Sequence, residues 1–179
     1  MRPVKILMRV AAAVLVVAGP AAQTPPDFSG RWVIAPDPPP AATGRGGGPA
    51  SGSMGSGWGA DITVTQDAKA LTIHYAQFTR SDMQPPMKFV YLLNGSESRN
   101  TINMGRGPQE QVSRAAWDGS RLVITTTHSF KVTQDGEAMT SETRHVLSLE
   151  SPASLVVETT RGAVMGGQPS TTKTVYRKN

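Results

Sequence analysis

Residues 144–160 read RHVLSLESPASLVVETT. Two runs rich in β-favouring residues, RHVLSL (144–149) and SLVVETT (154–160), are separated only by a connection around Ser151–Ser154. Parallel strands need a crossover of a dozen residues or more, so a link this short makes the two runs antiparallel neighbours. The same pattern extends outward in both directions. ITVTQ within 61–66, ALTIHY (70–75), the more apolar MKFVYLL (87–93), RLVITTTH (121–128) and TTKTVYR (171–177) are all strand-like, and most alternate apolar with polar positions. No window carries a helical period. Asn94-Gly95, Asp118-Gly119 and Asp135-Gly136 fall between such runs and suit two-residue hairpin turns, and Asp67–Ala70 suits a slightly longer link.

The expectation is an all-β chain, an antiparallel up-and-down meander of about 9–10 strands. Closing such a meander removes its unpaired edges, which favours a closed or partly open barrel. A two-sheet β-sandwich is the alternative.

The turns also predict faces. A turn centred on Asp118-Gly119 sets Trp117 against Ser120, Ala115 against Leu122 and Ser113 against Ile124, placing Trp117, Leu122 and Ile124 on one face. A turn at Asn94-Gly95 gives Phe89, Tyr91 and Leu93 the same face as Asn100, Ser98 and Ser96, half aromatic and half small and polar. That composition suits the wall of a modest ligand cavity.

The N-terminus has another purpose. Arg2, Lys5 and Arg9 precede the short apolar run Val10–Ala18, and GPAAQ follows. A basic segment, an apolar segment too short to span a bilayer and small residues thereafter predict a cleavable signal peptide, residues 1–22, cut after Ala21 or Ala22. The product is expected to be periplasmic or secreted, with no transmembrane segment. Without Arg2, Lys5 and Arg9 the balance of basic to acidic residues falls from 18 against 13 to 15 against 13. The remaining basic residues are scattered, which argues against nucleic acid as a partner. The absence of cysteine excludes disulfides, thiol chemistry and a lipid-anchored cysteine.

Residues 23–179 are expected to form one domain, interrupted at 36–60 by PDPPPAATGRGGGPASGSMGSGWGA. Thirteen of those 25 residues are Pro or Gly, too few apolar side chains to offset the entropy of ordering, so a flexible loop with Trp58 as its one large anchor is predicted.

Ahead of that loop stands DFSGRW (27–32). Its Gly30-Arg31-Trp32 resembles the Gly-x-Trp that opens the first strand of lipocalins and the wider calycin β-barrels. The resemblance implies that Trp32 plugs the closed end and that a cation near the end of the last strand, Arg177 in TVYRK, lies across the indole. It also implies that the largest loop covers the open mouth. The C-terminal helix and other motifs of lipocalins are missing from this sequence. YLLNGSESRN (91–100) and AAWDGSRL (115–122) are further similar to hairpins of uncharacterised exported bacterial β-proteins that begin DFSG-x-W, a likeness implying no particular activity. Trp32 also reads as the core anchor of an unrelated sheet.

Catalytic chemistry is scarce. There is no Gly-x-Ser-x-Gly, and Glu142 and Glu158 lack a second carboxylate placed to shift their pKa. GRGGG (44–48) lacks the flanking strand and helix of a phosphate loop. Asn94-Gly-Ser96 matches a glycosylation sequon but occupies a turn, and the methionines are dispersed. His128 and His145 flank the Asp135-Gly136 hairpin and share a face with Leu122, Ile124, Leu147 and Leu149. A two-residue turn puts them diagonal to each other and a four-residue loop puts them opposite, yet a zinc site needs a third ligand. Neither an enzyme nor a cofactor is expected.

The leading expectation is a lipocalin-like exported protein that binds a small hydrophobic or amphipathic molecule inside the barrel. Tyr75, Phe89, Tyr91, Trp117, Leu122, Ile124 and Leu147 would line the site, with Trp58 folding over it, while Trp32 and Arg177 close the far end. The alternative is a ligand-free interaction module or accessory subunit that binds an envelope protein through an edge strand or the 36–60 loop. Its support is the low aromatic content, 6%.

Overall fold

The computed structural model describes residues 24–35, 58, 60–75, 88–103, 108–131, 138–162 and 168–179. All its regular elements are strands: β1 (Gly30–Ile34), β2 (Ile62–Gln66), β3 (Ala70–Tyr75), β4 (Lys88–Leu92), β5 (Glu97–Asn103), β6 (Pro108–Asp118), β7 (Arg121–Lys131), β8 (Ala138–Ser151), β9 (Ser154–Arg161) and β10 (Ser170–Lys178). They form one ten-stranded antiparallel sheet in the order β4-β3-β2-β1-β10-β9-β8-β7-β6-β5. The sheet curls into a nearly closed barrel with a single seam, between β4 and β5. The stretch 1–22 expected to be a signal peptide, the expected Asp135-Gly136 hairpin and most of 36–60 lie outside the described residues. Among the described residues no helix is long and apolar enough to cross a membrane.

Alternation explains most of the core. Leu71, Ile73 and Tyr75 on β3 and Ile62 and Val64 on β2 are buried at every second position, while on β9 Val156 is buried along with Leu155 and Val157. The meander gives the barrel two unlike ends. At one end the connections are short: 67–69, 93–96, Gly119-Ser120 and 152–153. The connections at the opposite end are all longer than these tight turns or fall outside the described residues.

The β6–β7 turn corrects the expected register. Gly119 and Ser120 are its central residues, Asp118 pairs with Arg121 in the ladder and in an ion pair, and Trp117, Ala115 and Ser113 oppose Leu122, Ile124 and Thr126. Gly119 takes φ +62°, which the first central position of a tight hairpin turn demands and glycine adopts without strain. The shift from the sequence reading is two residues. An even shift keeps every side chain on its face, so Leu122 and Ile124 are interior as expected and Trp117 packs against the same core.

Asn94-Gly95 is also corrected: it does not nucleate a ladder. Leu93 N–H donates to Lys69 O (2.8 Å) in the β2–β3 turn and Gly95 N–H to Ala115 O (3.0 Å) on β6, so the two sides of the turn are held by different neighbours. Ser96 N–H bonds the Asn94 side chain (3.0 Å). Across the seam, side chains replace backbone. Asn100 Oδ1 accepts from Val90 N–H (2.8 Å), its Nδ2 donates to Val90 O (3.1 Å), and Ser98 Oγ accepts from Leu92 N–H (2.7 Å). A carboxamide carries the same donor and acceptor as a peptide group, so Asn100 can satisfy one residue of an edge strand.

The turn end is plugged. Trp32 Nε1 donates to Phe28 O (2.8 Å), and the Phe28 ring stacks on Trp117 at 5.8 Å and 8°. Gln66 accepts from Phe28 N–H (3.1 Å) and donates to Pro26 O (2.9 Å), tying the segment before β1 across the end of β2. The cation over the indole is Lys178, its Nζ 5.4 Å from the ring centroid, where the family resemblance implies Arg177. Parity gives the reason. Tyr176 is buried and Lys178 opposes Trp32 in the ladder, so the intervening Arg177 pairs with Val33 and is exposed. Gly30, at φ +144°, passes so close that a Cβ there would lie 2.5 Å from Lys178 Cε.

Candidate ligand site

The long strands β6–β9 present their interior side chains as rungs, and the rungs change character along the barrel. Nearest the turns, Trp117, Leu122, Leu147 and Val157 are successive ladder partners. The next rung is Ala115, Ile124, His145 and Thr159. Beyond it come Ser98, Ser113, Thr126, Thr143 and Arg161, then Asn100, Gln111, His128 and Ser141. Ser98, Asn100, Gln111, Ser113, Thr126, Thr143, His145 and Thr159 are all buried. The wall thus passes from apolar to hydroxyl, amide and imidazole over three rungs.

Buried hydroxyls are stable when they bond each other. Ser113 Oγ and Thr126 Oγ1 do so across the β6–β7 ladder at 2.8 Å. His145 differs. It is 2% exposed, and neither ring nitrogen has a hydrogen-bond partner among the described residues. Trp58, also 2% exposed, lies against it with ring centroids 5.5 Å apart, and its Nε1 is likewise without a partner. Burial, then the Arg161 charge, then His128 push the His145 pKa down to about 3, so its ring is neutral. Burial followed by Arg161 also lowers His128.

The side chains picked from sequence converge on the interior. Tyr75 meets Trp58 edge-on at 6.2 Å and Phe89 edge-on at 5.4 Å, and Phe89 stacks on Tyr91 at 6.4 Å. With Leu122, Ile124 and Leu147 they belong to one core cluster, against which the half-buried Trp117 packs. Burial raises the pKa of both Tyr75 and Tyr91, keeping the phenols neutral. Trp58 is a core residue of the barrel, although its neighbours in sequence are Gly-rich.

His128 and His145 are neither diagonal nor opposed. His145 opposes Ile124 and His128 opposes Ser141, with the Thr126–Thr143 pair between them. Lys131 pairs with Ala138, so His128 meets Ser141 rather than Thr143 or His145. No group of three or more metal-ligating side chains occurs among the described residues.

The polar rungs and Arg161 were only partly legible. Ser98 and Asn100 follow from alternation, and Thr126 from continuing the Leu122, Ile124 series. Arg161 emerges only from the β8–β9 register, which sets it against Thr143. At the opposite end, Trp117 also lines a surface groove of about 350 Å³ with Pro25, Asp27, Gln66, Asp67, Ala68 and Leu93. Its two aspartates are engaged in turns: the Ser29 hydroxyl and then Ser29 N–H lower the Asp27 pKa, and Lys69 and Ala70 N–H lower that of Asp67.

No protein-family model matches this chain, and no curated protein matches it by sequence.

Proposed function

We propose that this chain is an exported binding protein of lipocalin-like design that holds a small hydrophobic or amphipathic molecule in the loop half of its barrel. The observation that carries the reading is the pair of buried groups, His145 and Trp58 Nε1, without partners among the described residues, at the boundary between an apolar and a hydroxyl-lined interior. A buried polar group left unsatisfied costs about 1–3 kcal/mol, so a polar partner arriving there binds favourably. Barrel width adds support. Eight strands are just filled by side chains or hold one small ligand, and ten strands walled by serine and threonine enclose more room.

The lipocalin-like part of the reading rests on Gly30-Arg31-Trp32 and on a cation from the last strand over the indole. Residues 1–22 act as the export signal, and the protein works in the periplasm or outside the cell, without catalysis. A second reading, a ligand-free module that docks an envelope protein, draws on the tight packing of the aromatic half. Strand addition at the seam is disfavoured, because Asn100 and Ser98 already occupy the Val90 and Leu92 edge groups.

The test is native mass spectrometry of protein expressed from Gln23 and purified without detergent, alongside mass spectrometry of its organic extract. The binding reading predicts a stoichiometric small molecule, or uptake of one from a mixture of lipids and apolar dyes, that is weakened in His145→Leu. A bare mass with no uptake favours the docking reading.

A further inference from the structure

We infer, building on the binding reading above, that the ligand is a compact amphiphile with a single carboxylate, which sits among Arg161, Trp58 Nε1 and the His145 ring. Three observations converge on that head group. Arg161 lies on the interior parity of β9, two residues beyond the buried Thr159, and opposes the buried Thr143. In the ladder it is diagonal to His145, a spacing of about 7–8 Å between Cα atoms that a long side chain bridges. Its charge is felt by both His145 and His128.

Among the described residues no carboxylate pairs with that charge. Among the described residues the ion pairs join Arg99, Arg114, Arg121 and Lys173 to exposed carboxylates, and none involves Arg161. Glu142 and Glu158, its acidic neighbours on β8 and β9, are exposed on the other parity. One cation with neutral donors around it matches one negative charge. Trp58 Nε1–H is a donor only, and a neutral His145 ring supplies one further N–H. A doubly charged phosphate would be left half-compensated in a buried setting, which is costly. Charge-assisted hydrogen bonds from guanidinium to carboxylate are among the strongest available. The Trp58 ring, Ala115 and Ile124 offer the adjoining apolar surface.

The test compares decanoate with decan-1-ol, below their aggregation limits, by displacement of the neutral dye N-phenyl-1-naphthylamine from the wild-type protein and from Arg161→Gln. The inference expects decanoate to bind at least tenfold more tightly than the alcohol. Arg161→Gln should abolish that preference while keeping its affinity for alcohol and dye, and Arg161→Lys should restore part of it. Equal binding of acid and alcohol, or a preference that survives Arg161→Gln, overturns the carboxylate inference and leaves the binding barrel standing. If neither dye nor probe binds wild-type protein, the binding reading falls and this inference with it. Far-ultraviolet circular dichroism verifies that each variant is folded. A second, independent substitution, Trp58→Phe, removes only the indole donor and should weaken decanoate more than decanol.

Discussion

The two ends of this barrel solve opposite problems with the same ten strands. At the turn end the plug is tied by named polar contacts: the Trp32 indole bonds Phe28 O, Gln66 bonds both Phe28 and Pro26, and Lys178 lies over the Trp32 ring. At the loop end the wall is polar, and its most buried nitrogens, on His145 and Trp58, are without partners among the described residues. One end is arranged for stability and the other leaves binding capacity unspent. Low satisfaction at a buried site is a cost that folding alone does not explain, and the proposed ligand site is therefore placed at the loop end.

Substitutions at the two ends should therefore behave differently. The largest effect is expected at the plug. Trp32→Ala removes the largest fully buried side chain and should cost about 3–5 kcal/mol, read as a lower urea midpoint with little change in slope. If Trp32→Ala cost no more than a surface change, the stable-end assignment would fail.

Next comes the acid response of the loop end. His145 is neutral when folded, with a pKa near 3 set by burial, Arg161 and His128, against about 6.5 in the unfolded chain. The unfolded state then binds the extra proton between those values. Stability from this group is complete above pH 6.5 and declines as pH falls toward 3, by at most about 1.4 kcal/mol per pH unit. The half-buried His128 titrates in the same sense and its contribution overlaps. Urea titrations at pH 7 and pH 4.5 should show the loss, and His145→Leu should flatten it. An unchanged slope in that variant would place the acid sensitivity elsewhere.

The seam gives a middling effect. Asn100→Ala strips both Val90 backbone groups of their partner and should cost about 1–3 kcal/mol. Amide exchange at Val90 should accelerate well beyond that at Val64 in the continuous ladder. Equal exchange at both sites would mean that the side-chain bridge does not seal the edge.

The smallest effect separates two adjacent cations. Lys178→Met should cost about 0.5–1 kcal/mol from the lost cation–π contact, while Arg177→Met, on the exposed parity, should be near neutral. The reverse order in thermal unfolding would restore Arg177 to the role that the family resemblance implies.

These comparisons also show how far the sequence reaches. The β3 strand was read with its observed limits, Ala70–Tyr75, because its alternation is strict and it is bounded by a turn and a break. Leu122 and Ile124 were placed inside correctly despite a register two residues off. Side-chain orientation depends on whether a shift is odd or even, and this shift is even. The cation over Trp32 was displaced by a single residue, and one residue reverses the face. His128 and His145 were paired on assumed loop lengths, whereas the ladder sets them two interior positions apart.

Alternation along the chain determined the strands, the antiparallel meander and which residues face inward, since these follow from a backbone period of two and from short links. Tertiary structure alone decided the rest. Asn100 replaces a peptide group at the seam, Trp58 enters the core from a Gly-rich stretch, and Arg161 is set against Thr143, one rung from His145. Each depends on contacts between residues distant in sequence, whose registers are fixed only when the whole sheet curls and its long-range ladders form together.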